Sequence, residues 1–307
     1  MIMTCPIPLR SGSKVALVAT ARKVTPDEVQ PAIELLRSWD LIPVVPDGLY
    51  AADHQLAGND AMRAGILQRM IADDSIDALF CVRGGYGTVR IVDRVDFSPL
   101  LKHPKWIIGY SDVTVLHSHV GRHCKLATLH ATMPVNIPAD PNQWHTPAIE
   151  TLKRALFNRK TEIDAPTSPL NRPGRCHAPV VGGNLSILYS LCGSASDLDT
   201  DGKILFIEDL DEYLYHIDRM MQNLKRTGKL SRLQGLIVGG MNNMHDNTIP
   251  FGRQAEEIVL DAVREYHYPV AFHIPVGHIG LDNHALMLGV ATTLEITDSH
   301  TYISQSC

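Results

Sequence analysis

Long hydrophobic runs are missing from this chain. The opening MIMTCPIPLRSGSK has no continuous apolar stretch of about 7 to 15 residues, and no later segment holds about 18 uncharged apolar residues. Neither a secretory leader nor a membrane span is expected, and the chain reads as cytoplasmic. Excess positive charge is missing too. The 28 Lys and Arg are outnumbered by 33 Asp and Glu, for a formal net charge of −5, which argues against a large phosphate-binding surface and against nucleic acid as a partner. The six cysteines, at 5, 81, 124, 176, 192 and 307, form no CxxC pair and sit in or beside apolar segments. They read as small, reduced, buried hydrophobes and not as a disulfide frame. No internal repeat, low-complexity segment or heptad array occurs. Histidine is plentiful, at 15 residues, and His117, His119 and His123 lie close together. Residues two apart on a helix face nearly opposite ways, so only His119 and His123 could share a ligand. Surface or core histidines account for the cluster, and no metal or other cofactor is expected.

What is present is an ordinary globular composition, 45% hydrophobic and 20% charged, in 307 residues, long enough for two domains or one large one. The first half alternates short apolar runs with helical patterns. KVALVA at 14 to 19 predicts a buried strand. Thr25-Pro26-Asp27-Glu28 then supplies a helix start, with a cap, a proline in the first turn and acids near the positive dipole end, and the helix runs to about Trp39. A strand at 41 to 45, a helix near 60 to 72, a strand at 78 to 82 and a strand at 105 to 109 continue the series. This βαβ order predicts an α/β fold with a doubly wound, mostly parallel sheet, and ligands bind at the carboxyl ends of such strands. The segment APTSPLNRPGRCHAP at 165 to 179 has four prolines and no periodic apolar pattern, so it predicts a linker at 166–179 between domains 1–165 and 180–307. The second half offers a strand at 204 to 207, a helix near 215 to 227 with Ile217, Met220, Met221 and Leu224 on one face, a strand at 236 to 238 and a helix near 253 to 266. Residues 270 to 303 read as short strands.

The chemistry begins at Ile107-Ile108-Gly109-Tyr110-Ser111-Asp112, where a serine stands between an apolar strand and a helix. Such a junction exposes Oγ at a sheet edge and leaves amide N–H groups free for an oxyanion. It is similar to the nucleophile elbow of hydrolases, although Val113 stands where that motif has its second glycine. Taken alone, Ser111 reads first as a helix cap. Arg83-Gly84-Gly85-Tyr86-Gly87 follows another strand; it lets a backbone approach a ligand closely, or makes a tight turn, and lacks the features of a P-loop or a GxGxxG fingerprint. A serine nucleophile needs a base, and the base needs an orienting acid. His278, between glycines in PVGHIG, and Glu208, at the end of an apolar strand, are candidates, beside the plainer readings of a structural histidine and a solvated strand-end acid.

VALVAT near the start, RGGYG at 83 to 87, IGYSD at 108 to 112, GGNLS at 182 to 186, FIEDLDEYLYHIDRM at 206 to 220 and PVGHIG at 275 to 280 occur in order along most of the chain. Together they resemble the LD-carboxypeptidase (muramoyltetrapeptide carboxypeptidase) family of serine peptidases, to which microcin-immunity peptidases are related. The resemblance implies Ser111 as nucleophile, His278 as general base and then acid, and Glu208 as the carboxylate orienting the imidazole. It implies an oxyanion hole from backbone amides near Gly85 and Asp112, and a cleft between an N-terminal α/β domain carrying the serine and a smaller, β-rich C-terminal domain carrying acid and base. Tyr86, Gly183 and Asn184 become candidates for substrate binding. Arg83 and Arg219 become candidates for holding a terminal carboxylate. Homodimers are expected on the same basis. Around His130 this chain reads HATMPVN where many relatives have a His-Gly-Pro run, so the pocket wall there departs from the pattern.

The reaction so implied is release of a terminal D-alanine from the L-centre of meso-diaminopimelate in a small muropeptide, without a cofactor. A microcin-like aminoacyl conjugate is an alternative substrate. An α/β-hydrolase esterase would use the same order of serine, acid and histidine, but the missing second glycine and an acid on a separate domain speak against it. A non-catalytic two-domain binding protein would retain the cleft alone.

Overall fold

The computed structural model describes residues 3–307 as two mixed α/β units around two sheets. The first unit contains β1 (Lys14–Val18), α1 (Pro26–Ser38), β2 (Ile42–Val44), α2 (Asp60–Ala72), β3 (Ala78–Cys81), β4 (Trp106–Gly109), α3 (Thr114–His123), β5 (Thr128–His130) and α4 (Pro147–Asn158). The second contains β6 (Lys160–Pro166), β7 (Gly174–Asn184), α5 (Leu185–Leu191), β8 (Ile204–Leu210), α6 (Leu214–Arg226), β9 (Gly235–Asn242), α7 (Ala255–Ala262), β10 (Val270–Ala271), β11 (Leu286–Leu288), β12 (Ala291–Ile296) and β13 (His300–Ser306).

Local sequence chemistry sets the helix starts. Thr25 Oγ1 accepts the Glu28 N–H while the Glu28 carboxylate accepts the Thr25 N–H, a reciprocal box that begins α1. Asn59 caps α2 through the Met62 N–H. Apart from the edge strand β2, the strands of the first sheet are buried on both faces, as parallel strands are. Along β1, Val15 and Leu17 enter the core under α1 and α4, while Ala16 and Val18 face the core under α2 and α3.

The first sheet has the order β11-β5-β4-β3-β1-β2, parallel except for β11. This is a doubly wound arrangement, whose crevice opens beyond the carboxyl ends of β1 and β3. The second sheet has the order β10-β9-β8-β7-β12-β13-β6. Strands β7 to β10 are parallel, and β7, β12, β13 and β6 are antiparallel.

Two expectations are corrected here. Residues 166–179 are not a linker. Pro166 ends β6, which belongs to the second sheet through pairing with β13, and residues 174–179 are the first half of β7, paired with β12. Only 167–173 connects the two strands. Proline is tolerated at 179 because β7 changes partner there, from β12 through Pro179 to β8 from Val180 onward. The second sheet thus takes in residues from Lys160 onward, and β11 returns to extend the first sheet. The second correction concerns the cysteines. Cys5 and Cys307 form a disulfide across a separation of 302 residues, with Cα atoms 6.1 Å apart. The two chain ends meet because the Leu9 N–H donates to Leu156 O and the Cys307 N–H to Arg159 O, both at the end of α4. Cys81 and Cys124 are free and buried, and Cys176 and Cys192 are free and half-buried. No helix among the described residues is long and apolar enough to cross a membrane.

Candidate active site

The carboxyl ends of both sheets face one cleft of about 470 Å³, lined by residues that include Arg22, Ser111, Asn184, Asp209 and His278. Ser111 stands just past β4 with φ at 63°, a left-handed backbone that costs a residue with a Cβ roughly 1–3 kcal/mol. The surroundings enforce it. Asp112, buried behind the serine, accepts the Thr88 N–H at 2.9 Å and so ties the Arg83–Gly87 loop to the elbow. Burial pushes the Asp112 carboxyl above its ordinary range, against the hydrogen bonds from Thr88. Gly84 lies against the serine, and a Cβ there would sit 2.8 Å from Ser111 Cβ and 2.9 Å from Oγ. Buried Arg63 braces the same loops from beneath, donating to the carbonyls of Thr20, Gly58 and Gly87 and pairing with Asp60. The Gly85 and Asp112 N–H groups, expected as the oxyanion donors, have no backbone acceptor among the described residues.

His278 and Glu208, the expected base and acid, come from the second unit. His278 Nδ1 lies 2.6 Å from Glu208 Oε2, and the His278 backbone N–H donates to the same oxygen at 3.2 Å. Glu208, at the carboxyl end of β8, has no exposed side-chain surface, while 14% of the His278 side chain is exposed toward the cleft. Burial disfavours a charge on His278, but the hydrogen bond and charge of Glu208 outweigh it and hold the imidazole above its ordinary pKa. Burial likewise pushes the Glu208 carboxyl up, and the imidazoles of His130 and His278 more than offset this, bringing it down to about 2. Tyr110 packs its ring on His278, with centroids 4.6 Å apart, and donates its hydroxyl to Asn136. The two units are joined at the site by the Asn184 N–H, which donates to Thr114 Oγ1 at 3.0 Å.

Not every candidate from the sequence reaches the cleft. Arg83 and Asn184 line it, but Arg83 is paired with Glu28 at 2.9 Å and Asn184 with Asp209 at 2.9 Å. Gly183 is buried against Thr114, behind the cleft wall. Tyr86 is exposed, outside the lining. Arg219 lies on the exposed face of α6 over the Tyr215 ring, also outside the lining, because the helix turns that face to solvent while Ile217 and Met220 turn inward. His119 and His123 bond to Ser196 and Ala195 of the second unit, and His117 to Gly109 O.

Three residues of the site escape the sequence reading. Asp209, beside Glu208, accepts from Asn184, Ser186 and Leu210. Burial and then the Glu208 charge push its carboxyl up to about 7. His130 is fully buried, edge-on to Phe206, with Nε2 3.9 Å from Glu208 Oε1. Arg22 follows β1 and lines the cleft. Its signal was available, since it lies in a loop at the carboxyl end of a strand flanking the crevice.

A half-buried serine at a strained elbow, amide donors without a backbone acceptor beside it and an imidazole held by a buried carboxylate are the parts of a serine hydrolase. The LD-carboxypeptidase N-terminal domain matches residues 15–131, and the LD-carboxypeptidase C-terminal domain matches residues 177–294. The chain belongs to the LD-carboxypeptidase family and is a serine carboxypeptidase. It is 33% identical over 279 residues to the "probable murein peptide carboxypeptidase" of Bacillus subtilis, covering 89% of this chain and 86% of the relative. Its fold is similar to the muramoyltetrapeptide carboxypeptidase of Oxalobacter formigenes, with a TM-score of 0.85 at 22% identity over 96% of this chain and 99% of the other. It is also similar in fold to MccF, a microcin C7 self-immunity protein, solved with glutamyl sulfamoyl guanosine, with a TM-score of 0.84 at 19% identity over 98% of each chain.

Proposed function

We propose that this carboxypeptidase removes the terminal D-alanine from the L-centre of meso-diaminopimelate in peptidoglycan-derived tetrapeptides, with Ser111, His278 and Glu208 as its triad, in the recycling of wall peptides. The observation that carries the reading is the 2.6 Å pair of His278 and Glu208 opening into the same cleft as Ser111. Nδ1–H donates to Glu208, which leaves the Nε2 lone pair for the serine. His278 takes the Ser111 proton as Oγ attacks the carbonyl, and the Gly85 and Asp112 amides receive the developing oxyanion. The imidazolium then gives that proton to the departing amine of D-alanine. Water, deprotonated by His278, then attacks the acyl carbon, and the imidazolium returns that proton to Ser111 Oγ as the ester bond breaks. A murein peptide as substrate is supported by the named activity of the Bacillus subtilis relative.

The test is mass spectrometry of a muropeptide mixture before and after incubation, with synthetic tetrapeptides ending in D-alanine and L-alanine in parallel. Loss of one alanine from the D-epimer alone is expected, because a site that fixes the carbonyl presents one face of it to Oγ. Equal rates on the two epimers would refute the reading. Cleavage of an aminoacyl sulfamoyl nucleoside, with the tetrapeptide left intact, would move the activity to microcin-type conjugates.

A further inference from the structure

An enzyme that cuts only at the end of a peptide must bind the free carboxylate there, and a guanidinium is the side chain whose geometry matches it. Of the arginines lining the cleft, Arg83 is occupied by Glu28 at 2.9 Å. Arg22 has no carboxylate within salt-bridge distance among the described residues. Its side chain lies across Gly85, whose φ is +103° and where a Cβ would come 2.6 Å from Arg22 Cδ and 2.8 Å from Nε. The preceding residue, Gly84, lies against the Ser111 hydroxyl. Nucleophile and guanidinium thus flank successive residues of one loop. A terminal carboxylate likewise lies one residue beyond the scissile carbonyl, at about the 3.8 Å spacing of neighbouring Cα atoms. Asp211 and Glu212, each held at 2.6 Å by a histidine, line the cleft from the other unit, so an anionic terminus is directed away from them and toward Arg22.

We infer that Arg22 is the anchor for the substrate's free terminal carboxylate, the contact that makes the enzyme an exopeptidase. The assignment rests on the peptidase reading above. It is tested by measuring kcat/KM on a tetrapeptide ending in free D-alanine and on its C-terminal amide, with the wild type, Arg22→Ala, Arg22→Lys and Arg83→Ala. The wild type prefers the acid. In Arg22→Ala this preference collapses toward unity, through a loss of roughly 10- to 100-fold on the acid carried mainly by KM, as expected for a hydrogen-bonded charge. Arg22→Lys restores part of it, having charge without the planar fork. An unchanged preference in Arg22→Ala overturns the assignment, and so does an equal loss on acid and amide, which marks a structural role. A preference abolished by Arg83→Ala instead also overturns it. A wild type that cleaves neither substrate overturns the peptidase reading and this assignment together, whereas a wild type that prefers the acid while Arg22→Ala behaves identically overturns the assignment alone.

Discussion

Replacing Glu208 by Gln keeps the shape of the buried partner of His278 and removes its charge. On the proposed mechanism the imidazole is the base, so activity requires it neutral. Its pKa is raised above 6.5, and the rate should therefore climb with pH to a half-maximum above 6.5. The raising comes from the hydrogen bond and charge of Glu208 acting against burial. With the charge gone, burial dominates and the half-maximum should fall below 6.5. The imidazolium formed during acylation also loses its counter-ion. Breaking a buried pair costs about 3–5 kcal/mol, and at 1.36 kcal/mol per tenfold this is about 10²- to 10⁴-fold in kcat/KM. The assay is kcat/KM against pH on the D-alanine tetrapeptide, for wild type and Glu208→Gln. An acid limb that stays in place when Glu208 is neutralised would show that the 2.6 Å contact does not set the state of His278, and the mechanism above would fall with it.

Ser111→Ala should reduce turnover by about 10⁴-fold or more while thermal unfolding changes little, because the half-buried serine contributes mainly its hydroxyl; near-normal turnover would remove it as nucleophile. Gly84→Ala should cost about 100-fold or more in both turnover and labelling by a fluorophosphonate, since the new methyl would stand 2.8 Å from Ser111 Cβ and displace it. Wild-type labelling would show that the loop yields. Arg63→Met should lower the urea midpoint by the equivalent of about 1–3 kcal/mol per orphaned group without changing the slope, because it leaves the buried carbonyls of Thr20 and Gly58 without the Arg63 donor, while Asp60 keeps Arg90 and Gly87 O keeps the Arg90 N–H. A midpoint within error of wild type would mean that this brace is dispensable.

The starts of α1 and α2 were readable because their causes are local. The Thr25–Glu28 box spans four residues, and the α2 boundaries follow from Asn59 and the apolar spacing after it. The strand ends of β4 and β8, and the glycines beside His278, marked Ser111, Glu208 and His278 as residues carried on polar ends of apolar runs. Nothing local could place His278 at 2.6 Å from Glu208, 70 residues away. Arg219 and Arg22 were alike as sequence, each a cation near a motif. Only the packing of α6 turned the first to solvent, and only the shared crevice brought the second over Gly85.

The α/β class, the segments that become β1 to β4, α1 and α2, and the residue types needed for acyl transfer are legible in the sequence, since each of these depends on neighbours within a few positions. The tertiary structure decided the partners. Residues 174–179 look like a linker, with prolines and no apolar period, and become strand because β12, more than a hundred residues later, satisfies their backbone groups. Cys5 looks like a buried thiol and is joined to Cys307 because the ends of the chain pack on the same helix end. Long-range hydrogen bonding and packing carry no signature at the position they act on, so which strands pair, which cysteines meet and which arginine lies over Gly85 follow only once the chain is folded.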